Sequence, residues 1–258
     1  MRSLKKIGLV AALAAAPAIA FAADANNPAW QFDIAPYLWA ANMNGRVASG
    51  PVTAHLSEDF ADILNQLNVG GMLWLGAHKG PFGLFLNSMY IVLDDDATVG
   101  PINIDEKTRF GLFTAGVSYI VLQKELSHAN GAITQLQLEP YVGDRYTVNN
   151  VQINLLNFKI KSNHNWQDPI VGLRATYNWP RWALELAGDV GGTNTSTHYS
   201  YNLAALVGYK PESPAMKHVT FYVGYRDLYQ VYKTGSGIHF FNWNMRQFGP
   251  LVGINFGF

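Results

Sequence analysis

Apolar and polar residues alternate with a period of two along most of this chain, and the clearest run is the last one. Counting back from the end, Phe258, Phe256, Ile254, Val252, Pro250 and Phe248 alternate with Gly257, Asn255, Gly253, Leu251, Gly249 and Gln247. One face is bulky and apolar and the other small or polar, the pattern of a strand with two different surroundings. The same pattern recurs upstream. Leu136, Leu138, Pro140 and Val142 oppose Gln135, Gln137, Glu139, Tyr141 and Arg145. Pro169, Val171, Leu173, Ala175 and Tyr177 oppose Asp168, Gly172, Arg174 and Thr176. Trp182, Leu184, Leu186 and Val190 oppose Glu185 and Asp189. Tyr199 to Tyr209, Val219 to Tyr225 and the opening Phe32, Ile34 and Leu38 against Gln31, Asp33 and Tyr37 repeat it.

Links of two kinds separate these strands. Short, punctuated links fall at Lys79-Gly80-Pro81, Gln123 to Gly131, Trp179-Pro180-Arg181 and Lys210 to Lys217. Longer polar stretches fall at Asn42 to Asn68, Asp94 to Glu106, Thr147 to Asn165, Gly191 to Thr197 and Lys233 to Asn242. Their alternation, short turn then long loop, predicts about ten strands in up-and-down order. Val52 to Leu56 and Val151 to Ile160 read as extra strand in either direction, so eight or twelve strands also fit. One segment has helical spacing. Ser57-Glu58-Asp59 reads as a cap with acids in the first turn, followed by Phe60, Ile63, Leu64 and Leu67. That short amphipathic helix, Ser57 to Leu67 in the first long loop, is expected at a rim, in the lumen as a plug, or at the membrane surface.

Composition decides what the strands enclose. The chain is 13% aromatic and only 14% charged, with 24 Gly, whereas charged residues usually supply about a quarter of a globular domain. Beyond the first residues no run approaches the ~20 apolar residues of a transmembrane helix. An apolar, charge-poor chain without such a helix can satisfy its backbone in lipid only as a closed barrel. The expected fold is therefore all-β, an antiparallel transmembrane barrel with its apolar face to lipid and its polar face to the lumen. Trp30, Trp39, Trp166, Trp179, Trp182, Tyr199, Tyr209, Tyr225 and Trp243 lie near strand ends, where two interfacial girdles would place them.

The first 22 residues have a different pattern. Arg2, Lys5 and Lys6 precede the apolar Ile7 to Ile19, and Ala20-Phe21-Ala22 is a small-x-small site. This reads as a cleaved signal peptide, 1–22, ahead of a barrel domain at 23–258. Its loss takes three of the 18 basic residues and leaves 15 against 18 acidic. The slight acidity excludes a nucleic-acid binder, which needs a basic excess. There is no Cys, so in an oxidising compartment the core or the membrane holds the chain together. Signal and terminal strand together point to an outer membrane. The expected partners are its lipids and lipopolysaccharide, and the assembly machinery that reads the strand ending at Phe258. The oligomeric state is expected to be a monomer or a weak oligomer.

Trp30-Gln-Phe-Asp-Ile-Ala-Pro-Tyr-Leu-Trp39, the Asp62-Ile-Leu of the helix, Asp168-Pro-Ile-Val-Gly-Leu-Arg174, Gly188-Asp-Val-Gly-Gly192, Gly224-Tyr-Arg-Asp-Leu228 and Gly249-Pro-Leu-Val-Gly253 resemble a family of uncharacterised proteobacterial outer-membrane β-barrel proteins. The resemblance spans nearly the whole chain after the signal. It implies a fold and a location and brings no activity with it.

Candidate chemistry lies on the polar faces. Asp33, Gln135, Gln137, Glu139, Arg145, Asp168, Arg174, Glu185, Asp189 and Arg226 are expected to line the lumen. In so narrow a barrel side chains fill the bore, and the charges would pair across it. In a wider one they would line a narrow, weakly selective path for small solutes. An enzyme is the third reading. Asp94-Asp95-Asp96 with His198 or His239 at the rim would resemble an omptin-like protease, and Ser200 beside His198 has the parity of a lipid hydrolase. No omptin motif is present, and no catalytic residue is assigned. The histidines at 55, 78, 128, 164, 198, 218 and 239 are scattered, without metal-ligand spacing. No phosphate-binding glycine loop is present either, so no metal and no cofactor are expected.

Overall fold

The computed structural model describes residues 23–99, 102–127, 133–155 and 158–258, and the side chains of 95–99, 102–106, 127, 133, 153–155 and 158–161 lie outside that description. The signal peptide at 1–22 and His128 also lie outside the described residues. Thirteen strands form one antiparallel sheet. They are β1 (Trp30–Trp39), β2 (Asn42–Ser49), β3 (Val52–Glu58), β4 (Leu67–Lys79), β5 (Phe82–Val99), β6 (Ile102–Tyr119), β7 (Leu122–Ser127), β8 (Ile133–Leu155), β9 (Phe158–Asn178), β10 (Trp182–Asn194), β11 (His198–Tyr209), β12 (Val219–Thr234) and β13 (Phe241–Gly257), with the helix α1 (Phe60–Gln66) between β3 and β4.

The sheet closes because β1 pairs with both β4 and β13. Thirteen strands reduce to a ten-stranded barrel. β1 and β2 run along β13 in a single register, Trp39↔Leu251 and then Asn42↔Phe248. They divide opposite Pro250, which has no N–H to donate to a ladder. β7 likewise continues β6 along β8, from Ser118↔Tyr141 to Leu122↔Leu138 with a one-residue slip. β3 is extra: it pairs only with β2 and stands outside the closed ring.

Both ends of the described chain lie at one end of the barrel, with the tight turns. Lys79 to Phe82 turns through Gly80 at φ 57, a conformation that a side chain resists. At the opposite, loop end several expected loops are strand. Of Asp94 to Glu106, residues 94–99 and 102–106 extend the β5–β6 hairpin, and of Thr147 to Asn165, residues 147–155 and 158–165 extend the β8–β9 hairpin, with Asn150↔Asn163 in register. Gln123 to Gly131, expected as a turn, begins with β7. Polar composition suggested loops there, but a barrel's walls continue past the membrane once neighbouring strands offer their backbone groups.

Alternation sets the two faces. Trp30, Phe32, Leu84, Val171, Leu186, Val207, Val223 and Val252 are exposed on the outside, forming the apolar belt that lipid covers. Trp182 packs on Tyr209 at the turn end of that belt and Tyr201 on Tyr229 at the loop end, with centroids 4.9 and 5.5 Å apart. Three tryptophans expected in the girdles belong elsewhere. Trp39, Trp166 and Trp243 are only 1, 4 and 4% exposed and pack inside with Phe110, Leu112 and Met245. Their position near strand ends matches a girdle, but their parity is that of the inward face. Moving a charge into the belt should be costly. Leu186→Arg is expected to lose about 2–4 kcal/mol in lipid vesicles, against about 0.5 for Thr195→Arg in the exposed β10–β11 turn. Urea titration of the refolded barrel checks both.

Candidate functional site: the charged lumen and its mouth

Inward parity brings Glu139, Arg145, Asp168, Arg174, Glu185, Asp189, Arg226 and Gln137 into the interior, all buried, with Asp33 half-buried at the turn end. Gln135 is half-exposed below them. The strands stagger these residues into three layers.

Nearest the turn end, Arg174 Nη1 donates to Glu139 Oε2 at 3.0 Å. His78 Nε2 meets Glu139 Oε1 at 2.9 Å. Arg174 Nε lies 3.7 Å from Glu185, and its guanidinium stacks 4.9 Å from the Trp74 ring centroid. Asn255 donates to Asp33 at 2.8 Å. In the middle layer Arg145 donates to Asp189 Oδ1 at 2.5 Å and to Ser200 Oγ at 3.1 Å. Asp189 Oδ2 accepts from the Tyr141 hydroxyl and from Asn202, at 3.1 and 2.9 Å. Arg226 Nε donates to Asn202 at 2.7 Å, while its Nη1 reaches the Tyr37 hydroxyl, which donates to Asn87. The third layer joins Gln230 to Thr147 and Asp168, and brings His198 Nε2 to 2.6 Å from Asp168 Oδ1.

Small residues let this packing close. A Cβ on Gly172 would stand 2.4 Å from the Tyr141 ring, and one on Gly116 2.7 Å from Phe85. The aromatic rings therefore lie against bare backbone and narrow the bore. The gaps left beside the first two layers hold about 20 and about 50 Å³, room for a few waters and no more. Five carboxylates face three arginines here, and two of those carboxylates, Glu139 and Asp168, carry a histidine contact.

Where they are described, the residues considered for a rim site have other partners. Asp94 is bound by the Asn68 amide and by Lys107. The Asn68 bond, with Lys107 second, holds its carboxyl below the usual carboxylate range. His198 belongs instead to Asp168 and Thr193 on the far wall. Ser200 accepts from Arg145, and its side chain is fully buried. His239 is exposed on a short 3-10 turn. The side chains of Asp95 and Asp96 lie outside the described residues.

α1 starts at Asp59, whose carboxylate accepts from Asp62 N at 2.9 Å while Asp62 returns a bond to Asp59 N. Ser57 and Glu58, expected in the cap, end β3 instead. The helix buries none of its residues. It sits at the mouth, tied by Phe60 N to Asn42, and does not enter the lumen among the described residues. Beneath it lies a cleft of about 430 Å³ with walls from β2, β3, α1, β5, β6, β8 and β13. Nothing in the periodicity marked this cleft, because β3 and the helix fold back over the barrel only in three dimensions.

No protein-family model matches the chain, and no curated protein matches it. Among solved structures it is similar to the outer membrane protease OmpT from Escherichia coli, with 9% identity and TM-score 0.50 over 89% of this chain and 96% of that one. The fold is that of an outer-membrane β-barrel. The translocator domain of the autotransporter NalP from Neisseria meningitidis, at 11% identity and TM-score 0.35 over 90% and 89%, is a more distant likeness. Neisserial surface protein A, at 12% and 0.30 over 88% and 94%, is another. At these identities the likeness is one of fold alone.

Arg145→Ala would leave Asp189 buried without its guanidinium, an expected loss of about 3–5 kcal/mol. Pairing Arg145→Met with Asp189→Leu should recover part of it, since the uncompensated charge is gone while the Tyr141 hydroxyl and the Asn202 amide lose an acceptor. Urea midpoints of the refolded variants in vesicles give the comparison.

Proposed function

We propose that this chain is an integral outer-membrane barrel of a Gram-negative envelope whose lumen is closed by its own ion pairs, so that its role is structural and not that of a diffusion channel. The observation that carries this reading is the Arg145–Asp189–Asn202–Arg226–Tyr37 chain, which spans the bore between β8 and β1. Each member is buried and bonded to the next, and an ion crossing there would have to break those bonds in a space with room for a few waters at most. Location in the outer membrane is supported by the belt, the girdle pairs and the terminal strand ending at Phe258, which would be read by the assembly machinery. Export by a signal peptide cleaved after Ala22, contact with lipopolysaccharide and a monomeric or weakly oligomeric state belong to the same reading, as does kinship with the proteobacterial family that the motifs resemble. A non-catalytic role is supported by the engagement of Asp94 with Lys107 and of Ser200 with Arg145.

Planar-bilayer conductance of the refolded protein tests the closure. Neither the intact barrel nor a variant lacking Ser57 to Leu67 is expected to give steady openings, because the seal lies in the wall residues and not in the helix. Steady openings from the intact protein would overturn the structural reading in favour of a narrow channel. Openings only after the deletion would move the seal to α1.

A further inference from the structure

We infer that the mouth of the barrel is a binding site for a neutral, apolar small molecule, held in the cleft between the β2–β3 hairpin, α1 and the walls of β5, β6 and β13. This goes beyond the structural role proposed above and does not depend on whether the lumen conducts.

The cleft arises from one topological change. Up to Pro36 the first strand pairs with β4, at Pro36↔Leu73. Beyond it β2 takes β3 as neighbour, with Met43↔Glu58. The wall therefore parts between β2 and β4, and the chain crosses the opening through β3 and α1. Inward parity on β2 and β3 then turns Met43, Val47 and Leu56 toward the space, while the alternating Arg46 and His55 face away. Ile63 closes it from the helix, Ile91 and Phe110 from the walls, and Trp243 from β13. Phe110 and Trp243 stack with centroids 5.7 Å apart, and Trp166 lies against Trp243 at 6.0 Å. The cleft is thus backed by the aromatic cluster of the barrel interior. Below that cluster come the ion-pair layers, so the cleft is a dead end and not the entrance to a path.

Its size, about 430 Å³, falls in the range of small-molecule sites, roughly 300–1,000 Å³. Its chemistry narrows the ligand. Polar groups reach it at a few points only, Gln66, Thr108 and Asn149, enough to orient one hydroxyl, carbonyl or amine. The charged residue among the described lining is Glu58, and none of that lining is basic. A carboxylate ligand would enter an apolar space whose described lining offers no cation to offset its desolvation.

The neutral fluorophore N-phenyl-1-naphthylamine, added to the barrel in lipid nanodiscs with empty nanodiscs as the blank, tests the site. Saturable binding of one probe per barrel above the blank is expected. Ile63→Glu should weaken it at least about tenfold and Ile63→Leu should not. No residue of α1 is fully buried and the helix lies outside the closed ring, so the barrel of the Glu variant should still close, which heat-dependent gel migration checks. Ala54→Trp, which fills the cleft from β3, is the second variant and should abolish binding. 1-Dodecanol should displace the probe at a concentration at least about tenfold below dodecanoate. Signal no higher than the blank, or binding untouched by both Ile63→Glu and Ala54→Trp, overturns the site. Equal displacement by dodecanoate overturns the neutral class. Conductance is read separately, so failure of the closed-lumen reading and failure of this site are distinguishable.

Discussion

Three arginines held inside a closed wall organise this molecule. A guanidinium cannot shed its proton, so Arg145, Arg174 and Arg226 bring permanent charge into a space sealed by backbone on every side. Each must then be met by carboxylates and amides at hydrogen-bond distance, or the barrel would not close over it. Asp189, Glu139 and Asn202 meet that demand from β10, β8 and β11. The same contacts tie strands that the backbone ladder does not join, as Arg226 of β12 does with Tyr37 of β1. Narrowness follows, since arginine and its partners must touch, and the glycines at 116 and 172 give the rings of Phe85 and Tyr141 the space to pack round them.

Polarity inside the barrel is not uniform along its axis. Charged layers fill the turn end and the middle. Toward the loop end the inward residues become Met89, Phe110, Leu112, Trp166, Trp243 and Met245. A stack of that kind is the reverse of a water-filled pore, which needs polar surface throughout. The cleft under α1 lies on this apolar side. Its ligand preference and the closure below it therefore have a common origin in the division of the interior into a charged lower part and an aromatic upper part.

Much of this was legible in the chain. The period of two assigned strand and face together, because successive side chains in a strand must point opposite ways. The polar side of that alternation holds Glu139, Arg145, Asp168, Arg174, Glu185, Asp189 and Arg226, which the structure buries. The limits of that reading are also physical. Trp39, Trp166 and Trp243 look like girdle residues by position, and only their parity relative to the closed wall sends them inward. Thr147 to Asn165 looks like loop by composition, yet the backbone groups of residues 147–155 and 158–165 pair across a hairpin that runs past the apolar belt.

The sequence by itself determined the class of the fold and which face of each strand is polar, since these depend on residues close together in the chain, and it left the strand count at about ten, with eight or twelve open. Which charges meet was left to the tertiary structure. Arg145 finds Asp189 and Arg226 finds Tyr37 only through the stagger of strands around the closed barrel, a property of pairing register that no single strand carries. The mouth was decided there too. β3 and α1 form a cover over an apolar cleft because the first strand changes partners above Pro36, and that change is visible only when β4 and β13 stand on either side of it.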